Sequence, residues 1–257
     1  MLLVIDIGNT NTVLGVYNNN QLIQSWRIKT ERQMTEDEFH ILIQNLLSFS
    51  KIEVADIRQT VASCVVPPMI GIVDDFCTKY LNHCPLWVNA QNVSMPIRLK
   101  NPDEVGADRL VNATAAFYHY GGNLIVIDFG TATTFDCISS KGEYLGGAIS
   151  PGIMIASEAL FQNASKLPRV DLCNAPTHVI GKDTAQSIQS GIIFGYAGLV
   201  DGIVKRISQE MGNPKIIATG GLAPLMANVS ESIEHVDTNL TLEGLRLIAM
   251  KTPNVTS

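Results

Sequence analysis

The fold is decided by a stretch that occurs twice, as LLVIDIGNTNT at residues 2–12 and as LIVIDFGTATT at residues 124–134. The copies are 122 residues apart and share six of eleven positions, including the acids Asp6 and Asp128. Each copy is an apolar run that ends in an acid and continues, after a short turn, into a second apolar run. This pattern predicts a β-hairpin in each half of the chain. A repeat at an offset near half the chain length predicts two similar domains.

Helical and strand patterns alternate through the rest of the chain, which predicts an α/β fold. Helices are expected at residues 36–49, 102–120, 184–206 and 240–250, with another after Gly221. Short strands are expected at residues 60–66, 86–88 and 215–219. No linker or low-complexity stretch separates the halves, so we expect domains 1–117 and 118–257 with a tight boundary near residues 115–122.

Composition excludes several classes of protein. The chain of 257 residues is 46% hydrophobic and only 16% charged, which excludes disorder. With 18 basic against 24 acidic residues the net charge is −6, and no basic stripe is present, so nucleic acid is excluded as a partner. Five scattered cysteines without a CxxC pair are typical of reduced thiols in the cytoplasm.

Targeting and membrane signals are not expected from this sequence. The apolar run at residues 2–5 is too short for a signal peptide and lacks a basic flank. The segment from Ser187 to Val204 is the nearest to a membrane span, but it contains Gln189, Ser190 and Asp201. We therefore predict no spanning helix and no contact with a membrane.

The repeated acid-glycine-hydroxyl turn has the chemistry of a phosphate site. Glycine lets the backbone approach a ligand, and the free amides and hydroxyls that follow can hold phosphate oxygens. An acid such as Asp6 can bind a hydrated Mg²⁺ that also contacts phosphate. One such turn is typical of a structural hairpin, whereas two related turns that face a cleft favour a nucleotide. Position 13 is valine, so no lysine accompanies the first turn and its charge must be supplied by a metal or from elsewhere.

Known nucleotide motifs are otherwise missing. The sequence has no GxxxxGK[ST] and no GxGxxG after a strand. The pair Gly220 and Gly221 separates a predicted strand from a predicted helix. Such a pair can let adenine or ribose lie on the backbone near a helix N-terminus, but it is equally typical of an ordinary turn.

Asp108 and Arg109 adjoin within the first turns of a predicted helix. Asp108 could accept the proton of a hydroxyl nucleophile, and Arg109 could hold a carboxylate with its planar fork. Taken without context, the same residues fit a capped helix with solvated charges.

The predicted helix after residue 184 carries glycines along one face. They recur at positions i, i+4, i+7 and i+11, namely Gly191, Gly195, Gly198 and Gly202. Each glycine inside a helix costs about 1 kcal/mol relative to alanine, so close packing against a neighbour is expected to compensate. That neighbour is either another helix of the same domain or a second subunit.

These motifs, in order and at this spacing, resemble the type III pantothenate kinase family. They are the segments at residues 6–12, 105–109, 128–134, 146–152 and 218–221. The Gly-x-Asp-Arg element at residues 106–109 is the most specific of them. The acid-glycine turns alone resemble the wider superfamily of acetate and sugar kinases, Hsc70 and actin.

The resemblance implies two duplicated ribonuclease-H-like domains of the actin-like ATPase fold, with an active-site cleft between them. It implies ATP-dependent phosphorylation of pantothenate to 4'-phosphopantothenate, the first step of coenzyme A biosynthesis. It also implies a cytoplasmic homodimer whose pantothenate pocket lies at the dimer interface.

The resemblance also implies roles for individual residues. Those that bind ATP are Asp6, Ile7, Gly8, Asn9, Thr10, Asn11, Thr12, Val13, Thr131, Gly220 and Gly221. Those that bind pantothenate are Gly106, Ala107, Asp108, Arg109 and Thr184. Asp108 matches the catalytic base, Asp6 lies near Mg²⁺, and Asp128 matches the ligand of a monovalent cation, K⁺ or NH₄⁺.

The sequence departs from the family at one place. Relatives often have a tyrosine a few residues before the Asn-Pro pair, whereas residues 97–100 here read Ile-Arg-Leu-Lys. Another small-molecule kinase of the superfamily therefore remains an alternative. A non-enzymatic nucleotide-binding regulator is a second alternative, which the intact Asp6, Asp108 and Asp128 disfavour.

Overall fold

The computed structural model describes residues 1–251. The chain divides into two compact units, and each is described by itself. The first unit comprises residues 1–95, 100–115 and the C-terminal part from residue 240. The second comprises residues 96–99 and 116–239.

The first unit is built on a five-stranded mixed sheet. Its strands are β1 (Leu2–Ile7), β2 (Asn11–Asn18), β3 (Gln21–Lys29), β4 (Gln59–Cys64) and β5 (Leu86–Trp87), in the order β3-β2-β1-β4-β5. β1, β2 and β3 pair antiparallel, and β4 pairs parallel with both β1 and β5. Its α-helices are α1 (Glu36–Phe49), α2 (Pro68–Phe76), the start of α3 (Ala107–Tyr120) and α7 (Leu240–Lys251). Short helical turns occupy Val54–Asp56, Cys77–Leu81 and Pro102–Glu104.

Period-two alternation in β1 gives the first sheet a core on one face. Leu3, Ile5 and Ile7 are buried there together with Phe39 of α1 and Phe76 of α2. Side chains that alternate along a strand point to opposite faces, so the even-numbered positions of β1, Asp6 among them, share the other face. The first sheet thus has an apolar face for the core and a second face that carries the acid.

The second unit repeats this architecture. Its strands are β6 (Leu124–Phe129), β7 (Ala132–Ile138), β8 (Tyr144–Pro151), β9 (Lys215–Thr219) and β10 (His235–Val236), in the order β10-β9-β6-β7-β8. β6, β7 and β8 pair antiparallel, and β9 pairs parallel with β6. Its helices are α4 (Ile153–Asn163), α5 (Thr184–Met211) and α6 (Ala223–Ala227). The predicted duplication of the hairpin is therefore confirmed.

Helix α5 supplies much of the second core. Ile193, Tyr196 and Val200 are buried against Ile125 and Ile127 of β6. By length and composition alone, this 28-residue helix is apolar enough to cross a membrane. Length and composition alone do not contradict the prediction that this segment does not span a membrane, because the core helix of a protein can meet the same criterion. The buried apolar side chains of α5 pack in the core of the second unit, which explains why this helix is apolar.

The predicted helix at residues 102–120 is in fact two elements. The 3₁₀ turn Pro102–Glu104 ends at Val105, whose extended backbone (φ −73°, ψ 127°) interrupts the helix before α3 begins. The predictions for α1 and β9 match their observed bounds, and α5 runs five residues beyond its predicted end at 206. The strands β3 and β8 and the helices α2 and α4 were not predicted.

The two units also differ from the predicted domains 1–117 and 118–257. The helix α7 belongs to the first unit, because it packs on the first sheet and on α3. Gly244 lies against the backbone of Val111, where an added Cβ would stand 2.2 Å from the Val111 carbonyl oxygen. Contacts made 133 residues apart (244 against 111) are not visible in local sequence patterns.

Candidate active site

The first acid-glycine turn is closed by its own backbone and fastened to β3. The Gly8 amide donates a hydrogen bond of 3.0 Å to the Asn11 carbonyl oxygen. The Thr30 hydroxyl, just after β3, donates to the Gly8 carbonyl oxygen at 2.7 Å and lies 3.0 Å from the Thr12 hydroxyl. Asn9 at the tip of the turn is exposed. The tip is thus presented to solvent on a fixed support, as a phosphate-binding turn requires.

Asp6 ends β1 beside this turn. The Ser63 hydroxyl of β4 donates a hydrogen bond of 2.7 Å to its carboxylate. Burial raises the pKa of Asp6 from 3.8 to about 7, and the nearby negative charge of Asp108 adds to this effect. The hydrogen bond from Ser63 and the positive charge of Arg27 act in the opposite direction. Asp6 is therefore a carboxylate whose negative charge lacks a close counterion among the described residues.

Asp108 lies in the first turn of α3, with its carboxylate folded back over the start of the helix. Its Oδ1 accepts a hydrogen bond of 2.9 Å from the Arg109 amide. Burial raises the pKa of Asp108, while the amide and the charge of Arg109 lower it. A Cβ at position 106 would stand 2.5 Å from the Asp108 Oδ1, which explains why glycine occupies that position.

The first unit thus brings together two acids that are 102 residues apart in the sequence. Two carboxylates of like charge that are partly shielded from solvent oppose each other's ionisation. Such a pair can divide its tasks, so that one group binds a cation and the other accepts a proton.

The second unit brings Asp128 and Gly220 together at the carboxyl ends of two neighbouring parallel strands. Asp128 of β6 pairs with Thr219 of β9, and Gly220 follows with φ +91°. A Cβ at position 220 would stand 2.5 Å from the Asp128 Oδ1 and 2.7 Å from the Phe129 carbonyl oxygen. This position therefore requires glycine both for its backbone conformation and for the close approach of two oxygens.

The second acid-glycine turn is buttressed by Gly152. The Gly130 amide donates to the Ala132 carbonyl oxygen at 3.1 Å, two residues on, whereas the first turn closes three residues on, from Gly8 to Asn11. The Gly152 amide donates to the Thr131 carbonyl oxygen at 3.1 Å, and a Cβ at 152 would stand only 2.1 Å from that oxygen. Thr131 is thus placed at a rigid turn in this unit.

Thr184 is the first residue of α5 and follows the N-cap Asp183. It lines a cavity of about 430 Å³ together with Leu160, Leu167 and Ile188. The walls of this cavity are largely apolar, so it can take the aliphatic part of a small substrate.

Comparison with known proteins shows the family of the chain. The family model described as type III pantothenate kinase matches residues 2–206. The type III pantothenate kinase of Desulfatibacillum aliphaticivorans is 63% identical over 99% of this chain and 100% of its own length. That of Desulforapulum autotrophicum is 63% identical over 97% of this chain and 96% of its own length.

The chain belongs to the type III pantothenate kinase family. It is a phosphotransferase that phosphorylates pantothenate in coenzyme A biosynthesis. The alternatives of another small-molecule kinase or a non-enzymatic regulator are not supported.

The fold of this kinase is shared with sugar kinases. A ROK family glucokinase from Streptomyces griseus, solved with glucose and AMPPNP, matches with a TM-score of 0.57 at 10% identity. The match covers 97% of this chain and 100% of the glucokinase chain. At this identity the likeness concerns the fold alone, and it confirms the predicted actin-like ATPase fold.

The predicted site residues of this kinase fall into two groups. The first unit holds residues 6–13 with Gly106, Ala107, Asp108 and Arg109, and the second holds Thr131, Thr184, Gly220, Gly221 and Asp128. Ile7 is fully buried, so only its backbone is available to a ligand. Ser63 and Arg27 were not among the predicted site residues. Ser63 is a polar side chain inside the predicted strand at residues 60–66 and could have been found by that position, whereas nothing local marks Arg27.

Proposed function

We propose that this kinase divides the phosphoryl transfer between the paired acids of its first unit. Asp108 orients the primary hydroxyl of pantothenate and accepts its proton, and Asp6 supports the metal that accompanies ATP. This proposal rests on the approach of Asp6 and Asp108, two half-buried carboxylates with raised pKa values. Phosphoryl transfer has a loose transition state, so the hydroxyl needs positioning early and deprotonation late.

The donor chemistry at Asp6 fits Mg²⁺. This ion prefers one or two carboxylates, with water and phosphate oxygens completing its octahedron. Within residues 1–251 no group of three or more histidine, cysteine or acidic residues could hold a metal by itself, which suits an ion that arrives with a nucleotide. When bound, Mg²⁺ would neutralise charge on the phosphates. Ser63 would keep the Asp6 carboxylate in place for it.

The turns at residues 8–11 and 130–131 would bind the phosphates through backbone amides and hydroxyls. Gly220 and Gly221 would give the nucleoside a close approach to the backbone. Arg109 would hold the pantothenate carboxylate, and Thr184 would contact the same substrate from its cavity. The missing tyrosine before Asn101 would leave more of the pantothenate binding to these residues.

The donor set around Asp128 fits a monovalent cation, K⁺ or NH₄⁺. The Asp128 carboxylate and the Phe129 carbonyl oxygen both approach the space that a Cβ at position 220 would fill. Oxygen donors from a carboxylate and a carbonyl suit a large monovalent ion. Such an ion would add positive charge near the phosphates.

The glycine face of α5 supports a homodimer. Within residues 1–251, additional Cβ atoms at Gly191, Gly195 and Gly198 would meet nothing within 4 Å. Of the two alternatives, this observation favours a second subunit over another helix of the same domain at these three positions. Apolar side chains near the same surface are exposed, namely Met154, Ile155, Val179 and Ile180. A second copy of the chain would cover both the glycine face and the exposed apolar side chains. Replacing Gly195 with leucine should therefore shift the sedimenting species from dimer to monomer.

We also place the enzyme in the cytoplasm, where its cysteines stay reduced.

One assay tests these assignments together. ATP and pantothenate are incubated with the kinase in buffers that contain potassium, ammonium or only a large organic cation, and phosphopantothenate is quantified. We expect product with potassium or ammonium and little with the organic cation. Equal rates in all three buffers would remove the monovalent cation from the proposal. Product from glucose or another sugar, with none from pantothenate, would contradict the proposed roles of Arg109 and Thr184.

A further inference from the structure

Four residues form a row across the face of the first sheet that carries the acid. Asp6 of β1 lies opposite Ser63 of β4 on one side and opposite Val13 of β2 on the other. Val13 in turn lies opposite Arg27 of β3. Side chains at directly opposed positions on neighbouring strands share one face of a sheet. Arg27 and Asp6 therefore project from the same face, two strands apart.

A β-bulge decides that Arg27 has this orientation. Tyr17 pairs with Leu22 while Val16 pairs with Gln24, so Ile23 is an extra residue on β3. Without it, Val13 would lie opposite Trp26, because a shift of one residue moves every side chain to the other face. With it, Trp26 packs against the core and Arg27 occupies the face of the acid.

Arg27 is not used to stabilise the fold. Its side chain is exposed, and its guanidinium makes no hydrogen bond or ion pair within residues 1–251. It is nevertheless close enough for its charge to act on the Asp6 carboxylate. The other arginine near the first turn, Arg32, already donates to the Asn9 side chain at 3.2 Å.

The site needs a cation of this kind. Its substrates are anions, whereas the chain carries a net charge of −6 and Val13 provides no charge at the turn. Asp6 and Asp108, which lie close enough for their charges to interact, place two further acids at the site. A guanidinium can form paired, charge-assisted hydrogen bonds to phosphate oxygens, which makes arginine the common side chain for this task.

We propose that Arg27 binds the terminal phosphates of ATP directly, in the place that a lysine at position 13 would otherwise fill. This role rests on the proposed binding of ATP at Asp6 and the first turn. The interaction would anchor the triphosphate from the β3 side. It would not involve the adenosine part of the nucleotide.

Calorimetric titration of the full-length kinase with ATP and with AMP tests this role. We expect Arg27→Gln to weaken ATP binding by about tenfold or more while AMP binding stays unchanged. Arg27→Lys, which keeps the charge but loses the planar fork, should recover part of the loss. The loss should persist with EDTA, because a direct contact between guanidinium and phosphate does not depend on the metal.

Arg58→Gln is the matched control. Arg58 is also exposed, but it precedes β4 and lies at the opposite end of the sheet from Asp6. Both variants should unfold at the wild-type temperature, since neither side chain contributes to the core. Unchanged ATP affinity in Arg27→Gln, equal losses for ATP and AMP, or a loss seen only with Mg²⁺ would each overturn a direct phosphate contact. Wild-type enzyme that binds ATP but leaves pantothenate unmodified would overturn the proposed function and leave this test intact.

Discussion

Ser63 donates a hydrogen bond of 2.7 Å to Asp6 from the directly opposed position on the neighbouring parallel strand. The bond joins residues that are 57 positions apart and lowers the pKa that burial has raised. It therefore holds the Asp6 carboxylate in a fixed orientation and favours its charged form.

Replacing Ser63 with alanine should weaken metal-dependent ATP binding without unfolding the protein. The lost hydrogen bond raises the Asp6 pKa further, so the proton competes better with the metal. A hydrogen bond to a charged group contributes about 1.5–3 kcal/mol, which corresponds to about tenfold or more in the apparent Kd for Mg²⁺-ATP near neutral pH. Titrations at pH 6.5 and 8.5 measure the effect, and the loss should shrink at the higher pH. A loss of equal size at both pH values would contradict the link to Asp6.

The stability of the enzyme, free of metal and nucleotide, should fall as the pH rises from about 4 to about 7. In the folded protein the pKa of Asp6 is about 7, so its carboxyl keeps a proton in this window. In the unfolded chain its pKa has the ordinary value of 3.8, so the same proton is lost. The folded state therefore binds more protons, and stability decreases with pH until Asp6 is ionised in both states. Asp6→Asn removes the effect and should be more stable than wild type above pH 7, by about 2–4 kcal/mol.

Thermal unfolding at pH 4.5 and pH 8 in EDTA measures this difference. The Asp6→Asn variant and wild type should unfold at similar temperatures at pH 4.5 and diverge at pH 8. Asp103→Asn, at an exposed acid in the turn before α3, is the control and should follow wild type. If Asp6→Asn were the less stable protein at pH 8, the carboxylate would be a stabilising group and the prediction would fail.

Asp108→Asn should fold normally and lose most of its turnover. The amide keeps the size of the side chain and its acceptor for the Arg109 amide, but it cannot take the hydroxyl proton. General bases contribute about 10²–10⁴-fold, so kcat should fall within that range while the KM for ATP changes little. Initial rates and circular dichroism spectra compare the variant with wild type and with Asp103→Asn. Turnover near the wild-type rate would remove Asp108 from the role of base.

Gly220→Ala should cost more stability than Gly121→Ala. Both glycines have positive φ, +91° and +55°, so both alanines incur about 1–2 kcal/mol of backbone strain. Only at position 220 does the new Cβ also meet oxygens, those of Asp128 and Phe129, whereas nothing lies within 4 Å at position 121. Comparing the thermal unfolding of the two variants separates the backbone strain, which both share, from the contact with the two oxygens, which only Gly220→Ala makes. Equal losses would show that the contact with Asp128 yields to the substitution.

Much of the fold follows from local chemistry that can be read along the chain. The capping box of Thr35 and Glu38 and the apolar spacing that follows it start α1 at the predicted residue. Alternation in β1 and the polar turn after it predict the first hairpin, and its repeat predicts the second. β3 was missed because none of its residues is fully buried and a bulge interrupts the alternation of its side chains.

The candidate site could be predicted in its parts. Asp6 and Asp128 are marked by the repetition of the acid-glycine turn, and Asp108 is marked by the Gly-x-Asp-Arg element. The partners of these acids could not be predicted in the same way. Ser63 reaches Asp6 through the parallel pairing of β1 and β4, and such pairing depends on the helices that connect the strands.

The duplicated α/β architecture, the acid-glycine turns and the family can be predicted from the chain, because each depends on residues that are neighbours in it. Which charges face each other depends instead on how the strands and helices pack. The approach of Asp6 and Asp108 depends on the packing of α3, and the orientation of Arg27 depends on one extra residue at Ile23. The physical reason is that strand register has a period of two, so a shift of one residue exchanges Trp26 and Arg27 between the core and the face of the acid.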